Sequence, residues 1–240
     1  MGKRKLETCF SPALFEPEGH NNSIVVIIDI LRASSAIVTA FANGAAAIIP
    51  VATVEEAKGY KSKGYLVAAE RDGYVLYFAD FGNSPFNFTR EKVEGKTIAY
   101  STTNGTGIIN LSSSAYSTVI GSFLNIGALT AWLINQERDV LLFCAGWKNR
   151  FNLEDTVCAG AIAELLMASS LYSTICDSTV AAMDLWSIAR HNLRLYIEKA
   201  AQNTRLRDKN LDDCIDFCLT LNFTGKIPVM KDGILVENIP

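Results

Sequence analysis

The sequence contains little histidine and no closely spaced cysteine pair. It has two histidines, and its six cysteines stand at positions 9, 144, 158, 176, 214 and 218 without a CxxC motif. Zinc sites are usually built from closely spaced cysteine and histidine residues. Small secreted domains are usually stabilised by several disulfides. The sequence therefore indicates neither a zinc site nor a disulfide framework, and reduced thiols are expected.

Long hydrophobic runs are also missing. No apolar stretch approaches the roughly 20 residues that span a bilayer. The opening residues, MGKRKLETCFSPALF, lack the continuous apolar stretch of a secretory signal. We therefore expect a cytoplasmic protein with no membrane partner.

Blocks of positive charge are absent as well. The net charge is −3, and the basic residues are not clustered as a nucleic-acid surface requires. The late arginines Arg190, Arg194, Arg205 and Arg207 are expected to form a solvated face. The Walker pattern of ATPases does not occur either. No nucleic-acid partner and no ATPase activity are indicated.

The sequence does contain a regular alternation of strand and helix patterns. Residues 23–29, SIVVIID, are typical of a strand buried on both faces, and a helical pattern ending at Gly44 follows. Thr53 and Glu56 form a capping-box pattern at the start of the next helix. Further strands are predicted at residues 47–51, 65–70, 97–101, 117–121 and 139–145. The alternation predicts an α/β fold with a largely parallel or mixed sheet and helices on both faces.

The pattern changes near residue 170. Two long helices are predicted at roughly 178–201 and 205–221, and Asp232 with Gly233 predicts a hairpin turn after them. No linker composition marks the border. We therefore expect residues 1–170 to form an α/β core that carries the active site, and residues 171–240 to pack on it without forming an independent domain.

Polar or very small residues follow the predicted strands. In parallel sheets, ligands bind outside the carboxyl ends of the strands, where loops and helix N-termini direct backbone N–H groups. The residues at these ends are Asp29 and Arg32, Glu70 and Arg71, Ser101 to Gly105, Gly121 and Ser122, and Cys144 and Gly146. Helix caps use the same residue types, so the set as a whole indicates a ligand site more strongly than any one member does.

One of these ends is typical of an anion-binding loop. Gly105 and Gly107 permit the backbone to fold successive N–H groups into a nest, and a helix is predicted to follow. Hydroxyl groups from Thr102, Thr103 and Thr106 add donors. The alternative is an ordinary strand-to-helix turn with Asn104 and Gly105 as turn residues.

Several carboxylates are placed to hold a divalent metal. Asp29 ends a buried strand, where an uncompensated carboxylate would be costly. Arg32 could compensate it, or a metal could. Asn152 is followed by Glu154 and Asp155, which would join Asp29 as oxygen ligands for Mg²⁺. The alternative for these acids is a charge contribution to the first turn of a helix.

The sequence matches two other phosphatase chemistries only in part. Cys144 and Arg150 have the spacing of cysteine-dependent phosphatases, in which a thiolate attacks phosphorus. However, Phe151 stands where those enzymes usually have Ser or Thr, and a small buried thiol is the alternative for Cys144. A haloacid-dehalogenase enzyme would have two aspartates two residues apart after the first strand, and Asp29 has no such partner.

Long motifs in fixed order resemble one known family. They are VVIIDILRASSAIVTAFANGAAAIIPVATVEEA (25–57), AERDG (69–73), DFGNSPFNFT (80–89), GKTIAYSTTNGTGII (95–109), GSFLNIGAL (121–129) and CAGWKNRFNLEDTVCAGAI (144–162). The sequence resembles the 2-phosphosulfolactate phosphatases, which are associated with coenzyme M biosynthesis. The resemblance is close over roughly residues 20–165 and looser beyond.

The resemblance implies Mg²⁺-dependent hydrolysis of 2-phosphosulfolactate to sulfolactate and phosphate. The residues that match the family's motifs are Asp29, Arg32, Glu70, Arg71, Asn83, Ser84, Thr102 to Gly105, Ser122, Asn125, Glu154 and Asp155. Such a substrate carries three anionic groups, which Arg32, Arg71, a metal and the 102–105 loop are expected to bind, with Lys148 or Arg150 as further candidates.

These observations lead to a specific hypothesis for the site. Asp29, Arg32, Glu154 and Asp155 are the expected catalytic residues, and Asp29, Asp155, Glu154 and Glu70 the expected metal ligands. The expected substrate-binding residues are Arg71, Ser101, Thr102, Thr103, Asn104, Gly105, Thr106, Asn83, Ser84, Ser122 and Asn125. The alternative hypotheses are a binding protein for small phosphorylated or sulfonated acids, and a cysteine-dependent phosphatase. A homo-oligomer is expected only on general frequency, since most soluble oligomers are homo-oligomers.

Overall fold

Eleven strands form one sheet in the computed structural model, which describes residues 2–102, 108–109 and 111–238. The strands are β1 (Arg4–Cys9), β2 (Ile24–Ile28), β3 (Ala47–Pro50), β4 (Leu66–Arg71), β5 (Tyr74–Val75), β6 (Thr97–Ser101), β7 (Ser117–Gly121), β8 (Val140–Cys144), β9 (Tyr172–Ser173), β10 (Pro228–Lys231) and β11 (Ile234–Glu237). Their order is β5-β4-β6-β3-β11-β10-β7-β2-β8-β1-β9. Since β5, β10 and β11 pair antiparallel and the other pairs are parallel, the sheet is mixed, as predicted.

Helices cover both faces of this sheet. They are α1 (Ala33–Ala42), α2 (Val54–Ser62), α3 (Arg90–Val93), α4 (Ile126–Asn135), α5 (Leu153–Ala168), α6 (Asp177–Ala189), α7 (Leu193–Ile197), α8 (Ala201–Arg207) and α9 (Ile215–Cys218). Helical backbone is also present at Ile108, Ile109 and Leu111. The predicted capping box at the start of α2 is confirmed, because Thr53 and Glu56 bond each other's backbone N–H groups.

The central strand β2 shows why the sheet is covered on both faces. All five of its residues are buried. Val25 and Ile27 belong to the apolar cluster that contains α1, whereas Ile24, Val26 and Ile28 belong to the cluster that contains α4 and α5. A strand between two apolar layers needs hydrophobic side chains at every position, which the run IVVII supplies.

The prediction of two long helices after residue 170 is wrong. Residues 177–218 form four shorter helices, α6 to α9. Asn192 explains one break, since its side chain accepts a hydrogen bond from the N–H of Leu195 and so begins α7. Asn210 has a left-handed φ of 54°, which no residue inside an α-helix has.

The predicted hairpin turn at Asp232 and Gly233 is confirmed, with left-handed φ values of 51° and 82°. Its two strands lie inside the sheet. β10 pairs with β7 through Val229 and Val119, and β11 pairs with β3 through Leu235 and Ile48. The hairpin therefore joins the two parallel parts of the sheet.

The sheet is strongly curled. β4 and β2 are six strands apart in the sheet order, a separation of roughly 29 Å in a flat sheet. Glu70 in β4 and Asp29 after β2 nevertheless line one cleft. No helix in the described part of the chain is long and apolar enough to cross a membrane.

Candidate active site

One cleft collects many of the polar residues that follow the strands. The space between its walls, including open solvent at the mouth, is about 440 Å³. The lining residues are Asp29, Leu31, Arg32, Glu70, Asp72, Gly73, Asn83, Thr102, Trp147, Gln202, Arg205, Leu206 and Lys209. The carboxyl ends of β2, β4, β6 and β8 meet here, as expected for ligand sites in parallel sheets.

Asp29 lies between the end of β2 and the start of α1. Its Oδ1 atom accepts a hydrogen bond of 3.4 Å from the N–H of Ala33, in the first turn of α1. Burial raises the pKa of the Asp29 carboxyl to about 7, the hydrogen bond from Ala33 lowers it, and the neighbouring acids Glu154 and Glu70 raise it. Glu154 and Glu70 thus lie near enough to raise the pKa of Asp29 electrostatically, and a cation beside Asp29 would stabilise its ionised form.

Asp155 ties two site loops together. Its Oδ1 atom accepts from the N–H of Ile30 at 2.9 Å, and its Oδ2 atom accepts from the N–H of Gly146 at 3.3 Å. The side chain of Asn152 also donates to Oδ2, at 2.7 Å. Burial, Asp29 and Glu154 raise the pKa of Asp155 well above its ordinary value. The fully buried Asp155 therefore fixes the loop after β2 against the loop after β8.

Glu154 is almost completely buried beside these groups. Its Oε1 atom accepts from the side chain of Asn152 at 2.9 Å, and its Oε2 atom has no hydrogen-bond partner among the described residues. Burial raises the pKa of Glu154 to about 6, while its own backbone N–H and the charge of Arg205 lower it. A buried carboxylate oxygen without a donor is a natural place for a cation.

Arg32 is buried at the start of α1 and points into the cleft. It donates to Oδ1 of Asn83 at 2.8 Å and to the carbonyl oxygen of Leu211 at 3.3 Å. Within the described residues it forms no ion pair, so it does not compensate Asp29 by direct contact. Its charge still lowers the pKa of Asp29. The guanidinium is thus held by neutral groups in a cleft suited to an anion.

Glu70 and Arg71 organise the end of β4. Glu70 is buried, and its Oε2 atom accepts from the N–H of Gly73 at 2.6 Å. Arg71 donates to the carbonyl oxygen of Glu70 at 2.6 Å and to Oγ of Ser101 at 3.0 Å. These bonds join the ends of β4 and β6, with Glu70 on the cleft and Arg71 and Ser101 behind it.

The sequence matches a family model described as 2-phosphosulpholactate phosphatase over residues 9–233. The chain belongs to the 2-phosphosulfolactate phosphatase family. The family resemblance noted in the sequence is confirmed. Members of this family are phosphoric monoester hydrolases.

Three relatives illustrate the similarity, and each is described as a probable 2-phosphosulfolactate phosphatase. The protein of Thermotoga maritima is 38% identical, with 88% of this chain and 90% of the relative aligned. That of Caldanaerobacter subterraneus is 35% identical, with 88% and 89% aligned. That of Clostridium perfringens strain SM101 is 34% identical, with 97% and 99% aligned.

Some residues expected to bind substrate in this phosphatase family member lie elsewhere. Ser122 and Asn125 are fully buried and form a capping box at the end of β7. Asn125 also donates to the carbonyl oxygens of Ile120 and Lys226. Ser84 follows Asn83 but does not line the cleft. Of the predicted anion loop, Thr102 lines the cleft, and Thr103, Asn104, Gly105 and Thr106 lie outside the described residues.

The expected metal ligands do not form a complete protein-only site. Within residues 2–102, 108–109 and 111–238, no group of three or more His, Cys, Asp or Glu side chains is arranged to hold a metal ion. Mg²⁺ usually keeps several waters and takes one or two carboxylates together with substrate phosphate. Asp29 and Glu154 could supply the one or two carboxylates that Mg²⁺ needs. Asp155 is less suited, because both of its oxygens already accept hydrogen bonds from N–H groups.

Cys144 is poorly suited to nucleophilic attack. The thiol is completely buried, and burial raises its pKa well above the ordinary value, with Asp155 adding to the effect. Trp147 and Arg150 exchange backbone hydrogen bonds of 2.9 and 3.0 Å, so the residues after Cys144 form a tight turn and not an open loop around an anion. A buried, protonated thiol is inert, which disfavours the cysteine-dependent alternative.

Sequence reasoning missed the contribution of α8 and its flanks. Gln202, Arg205 and Lys209 line the cleft, and Lys209 donates to the carbonyl oxygen of Asp72. Arg205 was expected on a solvated face, but it is half-buried. The surrounding segment has no strand-end position and no glycine motif, so only its contacts in three dimensions reveal its place in the site.

Proposed function

We propose that this protein is a Mg²⁺-dependent phosphatase that hydrolyses 2-phosphosulfolactate, a phosphomonoester of a small sulfonated hydroxy acid. Family membership supports the reaction class. The observation that carries the proposal is the cleft itself, in which buried acids lie beside guanidinium groups that pair with no carboxylate among the described residues. Such a cleft matches a small polyanion that binds together with a divalent cation.

Asp29 and Glu154 are the residues that would hold Mg²⁺. Asp29 reaches the cleft, and Glu154 contributes a buried oxygen for which the described residues provide no donor. Bound Mg²⁺ would neutralise phosphate charge and lower the barrier to attack on phosphorus. In this proposal Asp155 is a positioning residue, because it holds the loop that carries Asp29.

Arg32 would bind phosphate oxygens as negative charge develops on them. Asn83 and the Leu211 carbonyl group fix its guanidinium, so little reorganisation is needed when the phosphate arrives. Trp147, Leu31 and Leu206 narrow the cleft and exclude bulk water. In the overall reaction water adds to phosphorus, the ester P–O bond breaks, and the released hydroxyl oxygen takes up a proton.

The test is phosphate release from 2-phosphosulfolactate, phospholactate and p-nitrophenyl phosphate, each with Mg²⁺ and with EDTA. We expect release that depends on Mg²⁺ and favours the sulfonated substrate. Release that is unchanged in EDTA would contradict the metal role. Binding without release from any substrate would instead support the binding-protein alternative.

Asp29→Asn gives a sharper test of the same site. It should lower kcat by at least about 100-fold, because removal of one ligand weakens both metal binding and charge stabilisation. The circular dichroism spectrum and Tm should stay close to those of the wild type. Asp184→Asn, at an exposed position on α6, is the matched control and should keep full activity. Full activity in Asp29→Asn would remove Asp29 from the mechanism.

A further inference from the structure

Arg205 differs from the other arginines in its part of the chain. Arg190 pairs with Glu164, Arg194 with Glu198 and Asp216, and Arg207 with Asp212. Within the described residues Arg205 forms no ion pair, although it is half-buried and lines the cleft. Partial burial of a cation without a carboxylate partner is unfavourable unless an anionic ligand completes the arrangement.

The Arg205 side chain is held in a defined orientation. Its guanidinium carbon lies 4.6 Å from the centre of the Trp147 ring, a stacking arrangement. Its Nε atom donates to Oε1 of Gln202 at 2.7 Å, and Gln202 in turn donates to the carbonyl oxygen of Leu31 at 3.0 Å. The two terminal nitrogens of Arg205 donate no hydrogen bond to the described residues. They are therefore available as a fork for a bidentate anion.

The other cations at the cleft are already engaged. Arg32 bonds Asn83 and the Leu211 carbonyl group. Lys209 donates to the carbonyl oxygen of Asp72 and lies over the ring of Tyr74. The cleft thus presents two guanidinium groups from different elements, one before α1 and one on α8, together with the acids Asp29 and Glu70.

We propose that Arg205 binds the second anionic group of the substrate, a sulfonate or carboxylate on the carbon skeleton, while Arg32 binds the phosphate. This inference rests on the proposed phosphatase function and makes Arg205 the residue that determines specificity for phosphomonoesters with an anionic tail. Trp147 and Gln202 are positioning residues for it. Burial lowers the pKa of Arg205 and Glu154 raises it, in keeping with a guanidinium drawn partly out of water beside an acid.

The test compares two substrates in Arg205→Gln. One is 2-phosphosulfolactate, and the other is p-nitrophenyl phosphate, which has no anionic tail. We expect kcat/KM for the first to fall by about 10- to 100-fold, the effect of losing a charge-assisted hydrogen-bond pair, and kcat/KM for the second to change by less than about 3-fold. Arg205→Lys should recover only part of the loss, because an ammonium cannot form a fork.

The matched control is Arg207→Gln, two residues along α8. It removes the same charge from the same helix, but Arg207 is exposed and pairs with Asp212. Both substrates should be turned over as in the wild type. An equal loss for both substrates in Arg205→Gln would overturn the inference. It would mean that Arg205 acts only through its charge on Glu154, which affects both substrates alike.

Binding of sulfolactate, a product of the proposed reaction, gives a readout independent of turnover. Calorimetry should detect binding to the wild type and at least about 10-fold weaker binding to Arg205→Gln. Hydrolysis of p-nitrophenyl phosphate with no preference for an anionic tail would overturn the role of Arg205 and leave the phosphatase function standing. Binding of sulfolactate through Arg205 without hydrolysis of any substrate would overturn the phosphatase function and leave Arg205 as an anion-binding residue.

Discussion

Asp155 shows how a single side chain fixes the geometry of the site. Its two oxygens accept from the N–H groups of Ile30 and Gly146, which lie in loops that follow different strands. Both N–H groups are buried away from solvent, so each needs the Asp155 carboxylate as its hydrogen-bond acceptor. The carboxylate is therefore a structural link between the loop of Asp29 and the loop of Trp147.

Asp155→Ala should destabilise the protein by about 2–4 kcal/mol, because two buried N–H groups lose their acceptor. Asp155→Asn keeps one carbonyl oxygen and should cost less. Denaturant unfolding of the two variants and the wild type measures the difference. Equal stability of the wild type and Asp155→Ala would show that water replaces the carboxylate without cost.

At the residue scale, the sequence predicted cleft residues best where they come directly after a strand. Asp29, Arg32, Glu70 and Thr102 were predicted at the ligand site and line the cleft. Ser122 was also predicted because it follows a strand, but a capping serine and a ligand-binding serine have the same sequence pattern. Arg205 could not be predicted, because its role depends on Trp147, which is distant in the sequence.

At the scale of elements, the contact between α5 and α6 depends on Gly160. A Cβ atom at this position would lie 2.0 Å from the carbonyl oxygen of Ala182 in α6. Backbone atoms cannot move aside as the end of a flexible side chain can. The two helices therefore approach this closely only because residue 160 has no side chain.

Gly160→Ala should destabilise the protein by at least about 3 kcal/mol, since the added methyl group pushes the two helices apart. Gly59→Ala is the matched control, because Gly59 lies inside α2 and an added Cβ would meet nothing within 4 Å. That substitution should stabilise α2 by about 0.5–1 kcal/mol. Thermal unfolding of both variants checks the pair, and a similar Tm for the two would contradict the packing argument.

The strands and helices differ in how well their own local sequences predict them. β2 and β8 are continuous apolar runs, and they form where predicted. β1 was not predicted, because three of the six residues in its sequence RKLETC are charged, yet it pairs with β8 inside the sheet. The helices after residue 176 were predicted too long, because asparagine caps and turns interrupt an otherwise helical composition.

At the scale of the whole molecule, the sheet depends on strands that are far apart in the sequence. Among the described residues, the parallel group β4-β6-β3 and the parallel group β7-β2-β8-β1-β9 are joined by strand pairing only through the β10–β11 hairpin. Local patterns predict the hairpin but not its partners, because pairing with β3 and β7 is decided by contacts between distant residues. The polar strand ends predicted that residues of both groups would share one ligand site, whereas the curl of the sheet that brings them together could not be predicted from local patterns.

Leu235→Ala tests the role of the hairpin in the sheet. Leu235 is fully buried opposite Ile48 of β3, so its truncation should cost about 2–5 kcal/mol. Val236→Ala is the matched control, since Val236 is only half-buried on the same strand, and it should cost less. Chemical denaturation gives both values. Equal losses would mean that the β3 contact adds nothing to the stability of the hairpin.

The position of the hairpin also affects how the chain folds during synthesis. A ribosome completes β1 to β9 before it reaches residue 228, so β3 and β7 emerge with edges that later lie in the middle of the sheet. Such open edges readily pair with other chains. The nascent protein therefore carries two unpaired strand edges until the hairpin is made, and its insertion joins the two parts of the sheet that border the cleft.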